Sequence, residues 1–300
     1  MLPDATQETA NEAVEHGTDA VAHGAETYDV GSSIIGHIVD HKSFEITHDI
    51  NPPLPSFDPI EIGGLVIDLS ITKHVVMMWA AAVIILIIGW LSARKKGELV
   101  PTGLRNAIEV VVRFIRNEIA RKSIHGADAD RYTPYLISTF FFILTCNLLG
   151  LVPGMGTATG NISVTAALAL MAFVMIQFAG IRNYGPIKHF ANLVPSGLPM
   201  WLIPLMFALE LLSMIVKPFA LCVRLFANMM AGHVVILAFI SLIFIFGQTY
   251  SAPVAWATSP VAVGFALFVH FLELLVSTVQ AYIFTMLTAT FIGMSSHPAH

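Results

Sequence analysis

Residues 201–248 read WLIPLMFALELLSMIVKPFALCVRLFANMMAGHVVILAFISLIFIFGQ, an almost wholly apolar run broken by Glu210, Lys217, Arg224, Asn228 and His233. A stretch of about 20 apolar residues already spans the roughly 30 Å hydrocarbon layer of a bilayer, so this run is a membrane helix with length to spare. An arginine at that depth costs between about 2.5 and 17 kcal/mol, and it persists only where a cavity or a partner compensates it. Its guanidinium also keeps its proton. Arg224 can therefore hold or repel charge, but it cannot pass a proton on.

Working outward, the whole chain shares this character: 56% of its 300 residues are hydrophobic and 12% are charged, against about 25% charged in an average soluble domain. The composition specifies an all-α polytopic membrane protein. Its charges are segregated. Thirteen acidic residues lie between Asp4 and Asp68 against one basic residue, Lys42, and nine basic residues then fall between Arg94 and Arg131. From Tyr132 onward only Arg182, Lys188, Glu210, Lys217, Arg224 and Glu273 are charged. The two cysteines, Cys146 and Cys222, sit in apolar segments, where a thiol acts as a small hydrophobe.

Two regions follow. Residues 1–70 form an acidic extracytoplasmic segment without the basic-then-apolar order of a cleaved signal peptide, ending in alternating residues around Gly63-Gly64 that predict a short hairpin within Phe57–Thr72. Residues 71–300 form the membrane domain, with spans at about 74–91, 134–152, 162–181, 201–246 and 261–291. The last two are long and tilted. The fourth must tilt, kink at Pro204 or Pro218, or break, and a polar link over 247–260 precedes the fifth. Between the first two spans, Leu104, Ile108, Val111, Ile115 and Ile119 recur at helical spacing among Arg105, Glu109, Arg113, Arg116 and Arg121, predicting an amphipathic helix over about 102–125 that lies on the membrane surface or on a partner helix. Arg94-Lys95-Lys96 places the end of the first span in the cytoplasm by the positive-inside rule, so the N-terminus is expected outside and the C-terminus inside.

Glu210, Lys217 and Arg224 are spaced by seven and Asn228 follows four later, so the four share an arc of about 40° at 100° per residue. His233 points to nearly the opposite side and should face a different neighbour. On the last helix His270, Glu273, Ser277 and Gln280 share an arc of about 80°. Two polar stripes on successive helices imply a hydrophilic interior between them. The simplest reading is that these charges staple the bundle through buried pairs; the functional one is an ion path, in which a histidine and a carboxylate load and release protons. A stand-alone transporter or channel would use the same groups. Haem ligation by His233 and His270 would leave Arg224 and Asn228 without a role. No phosphate-binding loop, nucleophile triad or zinc-protease motif is present, and no cofactor or metal is implied.

The residues Lys217-Pro218, Arg224-Leu-Phe-Ala-Asn228-Met-Met-Ala-Gly232, Glu210 upstream and Gln280-Ala-Tyr-Ile-Phe284 together resemble the membrane-embedded a subunit of F-type ATP synthases. The resemblance runs from the first span to the C-terminus and leaves out the acidic N-terminal segment. It implies that Arg224 is the stator arginine facing the carboxylate of each c subunit in a rotating ring. Asn228, His233, Glu273 and Gln280 would line the half-channel from outside, Glu210 the one opening inward, and the amphipathic helix would lie near the b subunits of the peripheral stalk. A bacterial inner membrane is the expected location, with ATP chemistry on other subunits. Two departures stand out: Ala227 replaces a glycine, and His233 and Glu273 carry the imidazole and carboxylate in exchanged positions.

Overall fold

The computed structural model describes residues 60–62, 65–67, 70, 72–94, 103–152, 156–191 and 199–296. The acidic segment up to residue 59 and the basic cluster Lys95-Lys96 lie outside the described residues. The described residues begin with β1 (Ile60–Ile62) and β2 (Leu65–Ile67), an antiparallel pair in whose register Glu61 is opposite Val66. This is the hairpin that the alternating pattern predicted. The described elements after it are all helical: α1 (Lys73–Arg94), α2 (Leu104–Phe114), a π turn (Ile115–Ala120), α3 (Arg121–Ser123), α4 (Asp128–Gly150), a 3-10 turn (Ala158–Gly160), α5 (Ile162–Tyr184), α6 (Pro186–Ala191), α7 (Ile203–Thr249) and α8 (Ala252–Ser296). Five of these, α1, α4, α5, α7 and α8, are long and apolar enough to cross a membrane.

Helix α8 is the hub, packing on α4, α5 and α7, with α1 set against α4. The core lies where these meet, built from Leu136, Phe140, Ile143, Ala172, Ile176, Leu221, Leu225, Phe284 and Ile292. Small residues let backbones close up: a Cβ on Gly293 would collide with the Ser123 carbonyl. His189 of α6 lies over Gly180 of α5 and hydrogen-bonds Gln177 Oε1 at 2.8 Å through Nε2, which ties the short helix back to the bundle.

Three expectations change. The amphipathic segment is α2, the π turn and α3 in succession rather than one regular helix. Ile115, Ile119 and Ile124 enter the core while Leu104 stays 53% exposed, so half of the apolar stripe packs on the protein itself. Its basic face is largely neutralised at home: Arg113 pairs with Glu109, Lys122 with Glu118, and Arg116 with Asp130 at 2.9 Å. Asp130 beside it raises the Arg116 guanidinium above its ordinary value.

The second and third changes concern prolines. Pro134 does not open the second span but lies inside α4, and the polar link before the last span shrinks to Tyr250 and Ser251 because α8 begins at Ala252 and runs through Pro260. Of the alternatives for the fourth span, a break does not occur: α7 continues through Pro218 for 47 residues. A proline in an apolar helix leaves one carbonyl without its partner, which flanking helices and local adjustment tolerate far better than an isolated helix does.

At 1.5 Å per residue α7 is about 70 Å long, more than twice the hydrocarbon thickness. Its contacts show how that length is accommodated. Cys222 meets Thr165, one turn into α5, and His233 meets Gly150 at the end of α4 and Thr157 just beyond it. Those partners share one end of α4 and α5, yet along α7 the two contacts are about 16 Å apart. Helix α7 therefore runs across the bundle rather than along it.

Candidate functional site

The site grows from the crossing of α7 and α8. Asn228 Nδ2 donates to Gln280 Oε1 at 2.7 Å, joining the two polar stripes. One and a half turns further, His233 Nδ1 lies 2.8 Å from Glu273 Oε1 and 3.1 Å from the Met229 carbonyl. The glutamate side chain is 3% exposed and the histidine 27%. A carboxylate so deeply buried is costly unless paired, and only one of its oxygens is: Glu273 Oε2 is buried with no hydrogen-bond partner among the described residues. Glycine at 232 makes the room, since a Cβ there would fall 2.6 Å from Glu273 Oε1.

The expected opposition of His233 to the stripe holds for half of its contacts. Its Nε2 reaches away from Asn228 to Thr157 Oγ1 at 2.7 Å and to the Gly150 carbonyl at 3.0 Å. Its Nδ1 nonetheless returns to the same helix that Asn228 contacts. Ser277, fully buried, sets its hydroxyl 3.8 Å from Met229 Sδ, and its carbonyl accepts from Asn147 Nδ2 at 3.4 Å. Thr159 donates to Asn147 Oδ1 at 2.7 Å. Thr157, Thr159 and Asn147 thus extend the cluster into α4 and the following turn. Asn147 carried a signal, as the lone carboxamide of an apolar span; the threonines, inside a turn-rich link, carried none.

The remaining predicted residues stay apart from this cluster. Arg224 is exposed and forms no ion pair or hydrogen bond among the described residues. It sits on the face of α7 turned away from His233, as nine residues of helix require. Lys217 places Nζ 5.3 Å above the Phe291 ring of α8, within cation–π range. Glu210 and His270 are half-buried, with no hydrogen bond to another described residue. Of the four charges on α7 and α8, then, only Glu273 is in a polar pair among the described residues, and its partner is His233. No group of three or more histidine, cysteine or acidic side chains suited to a metal occurs among the described residues.

Chemically the arrangement separates two kinds of charge. A buried histidine–carboxylate couple can gain or lose a proton as a unit. An exposed guanidinium, about 14 Å further along α7, can only supply fixed positive charge.

The family described as ATP synthase A chain matches residues 75–293. The chain is 45% identical over 307 aligned residues to the ATP synthase subunit a of Anaeromyxobacter dehalogenans strain 2CP-C, covering 97% of this chain and 77% of that one. It is 46% identical to the ATP synthase subunit a of Chloroherpeton thalassium, over 93% of this chain and 80% of the relative. With that of Myxococcus xanthus the identity is 48%, over 80% of this chain and 78% of the relative.

Proposed function

The chain belongs to the ATP synthase A chain family, and from that premise we propose that it is the membrane-embedded stator of a rotary F-type ATP synthase, providing two offset half-channels to a ring of c subunits. A proton enters from outside through Asn228, His233, Glu273, Gln280, Ser277 and His270 and neutralises a ring carboxylate, which then turns into lipid without carrying charge. After nearly a full rotation that carboxylate meets the inward path near Glu210 and Lys217. Arg224 beside it favours the ionised form, and the proton leaves inward. The same fixed cation blocks a direct leak between the paths. Each proton crossing 100 mV releases about 2.3 kcal/mol, so several are summed for each ATP made on other subunits.

The observation that carries this reading is the state of Arg224: exposed on the outer face of α7, with no ion-pair or hydrogen-bond partner among the described residues. A charge kept to staple the bundle would be buried against an acid. A charge kept for a passing acid on another chain should look as Arg224 does. The c ring and the b subunits of the peripheral stalk are the partners, the bacterial inner membrane is the location, and the acidic segment before α1 lies outside.

The decisive experiment is ATP-driven proton pumping by the assembled complex in membrane vesicles. Arg224→Ala should abolish pumping while the complex still assembles, and Arg224→Lys should fail as well, because an ammonium at such a site can lose its proton and lacks the planar fork. Full pumping by either variant overturns the assignment. A stand-alone transporter would instead show ion flux when this polypeptide is reconstituted without a ring.

A further inference from the structure

Four oxygens surround the His233 ring. Nδ1 faces Glu273 Oε1 at 2.8 Å and the Met229 carbonyl at 3.1 Å; Nε2 faces Thr157 Oγ1 at 2.7 Å and the Gly150 carbonyl at 3.0 Å. Two of the four are carbonyls and one is a carboxylate, which accept hydrogen bonds and do not donate them. Only the Thr157 hydroxyl can do both. The imidazolium form suits the acceptors, with Nδ1–H donated to Glu273 and Nε2–H shared between the Gly150 carbonyl and Thr157 Oγ1. A neutral imidazole carries one bare nitrogen, and that nitrogen needs a donor.

Only one neutral form finds it. With Nδ1–H directed at Glu273, the lone pair on Nε2 receives the Thr157 O–H. The other tautomer turns a lone pair toward an ionised carboxylate and a carbonyl at once, which is repulsive on both counts. Among the described residues no other ionisable side chain hydrogen-bonds the ring: α8 contributes Glu273, α4 the Gly150 carbonyl, α7 its own Met229 carbonyl, and the link contributes Thr157. Lys73 of α1 lays its chain along Gly156, the residue before Thr157, 3.4 Å from where a Cβ on that glycine would stand. The hydroxyl is itself built in. Thr157 is 7% exposed, and a Cβ on Gly150 would overlap Thr157 Oγ1.

We propose that Thr157 is a positioning residue for proton transfer through His233, its hydroxyl donating to Nε2 when the ring is neutral and turning to accept when the ring is protonated. Uptake forms the Nε2–H bond from an incoming proton and reverses the Thr157 hydrogen bond. Release breaks that N–H bond, sends the proton on to the ring carboxylate, and restores the donated O–H. In both states Nδ1–H stays directed at Glu273 Oε1, 2.8 Å away. Thr157 thus stabilises the unloaded state, without which the couple would keep its proton.

This rests on the half-channel reading of His233, so the test separates the two. The intact complex is reconstituted in liposomes, and proton transport is followed while pH is varied on the His233 side alone, for wild type, Thr157→Val, Thr157→Ser and His233→Ala. Valine keeps the shape and removes the hydroxyl. It should slow maximal transport about tenfold and move the alkaline limb of the profile up by about one pH unit, the worth of one neutral hydrogen bond. Serine should restore the wild-type profile. A valine profile that superposes on wild type, or a slower one whose alkaline limb has not moved, overturns the role of Thr157. So does serine behaving like valine, which would assign the effect to the methyl group. Full transport by His233→Ala overturns the half-channel reading, and this inference with it.

Discussion

His233 and Glu273 hold each other across two helices, and neither has a second ionisable partner among the described residues. Removing either one leaves the other buried without its counter-charge, so most of the damage is done by the first substitution. In a double-mutant cycle of His233→Ala and Glu273→Ala read as proton-transport rate, the losses should be strongly non-additive, with a coupling of about 0.5–3 kcal/mol. Simple addition of the two effects would show that they do not share a path. At this scale the sequence spoke unevenly. Helical spacing put Asn228 and Gln280 on facing stripes, and their 2.7 Å bond joins those stripes. The same arithmetic set His233 on the far side and gave no sign that its two ring nitrogens would serve two neighbours. That depends on how two curved surfaces cross, which periodicity along one helix does not encode.

Among the elements, α7 and α8 departed most from what local rules suggest. Pro218, Pro260 and the polar residues 247–260 are breaking signals in isolation, yet the helices run through Pro218 and Pro260 and leave only Tyr250 and Ser251 between them. Propensity lost because the surrounding apolar phase and the neighbouring helix make an open backbone group costlier than a strained turn. Contact between elements also fixes the sign of a glycine substitution. In an unconstrained helix Gly→Ala gains about 1 kcal/mol, but a Cβ on Gly293 meets the backbone carbonyl of Ser123, which cannot swing aside as a side chain would. Overpacking of that kind costs about 1–3 kcal/mol. Gly293→Ala should therefore lower the thermal unfolding temperature of the detergent-solubilised protein; a rise would show that α8 and α3 are free to separate.

For the molecule as a whole, five candidate spans that each cross once would put the two ends of the membrane domain on opposite sides. The positive-inside rule counts lysines and arginines near helix ends and gives little weight to acids, so the internal pairing of the basic residues along α2 and α3 does not cancel the expected orientation. With both native cysteines buried, single cysteines report sidedness against a low background. At Tyr250, in the α7–α8 turn and 68% exposed, a thiol should react with an impermeant reagent added outside; at Ile187, on α6 and 85% exposed, it should react only from within. The reverse pattern would invert the topology. The number of long helices and their apolar character were legible in composition and length. That α7 tilts was legible in its length, but the direction of its course across the bundle was not, because run length fixes how far a helix reaches and not where it points.

That course has a mechanical side. Between His233 and Glu273 the hairpin of α7 and α8 buries only Ser241, Ala262 and Ala266, and Phe239 stacks on Phe265 at 5.4 Å between its two arms. Such a structure is a cantilever: firmly clamped where it meets α4 and α5, and stiffened along its free length chiefly by the pairing of its own two rods. A sideways load near the clamp deflects it little, whereas the same load at the tip bends it far more. A neighbour turning against this beam would meet a rigid bearing at one end and a spring at the other.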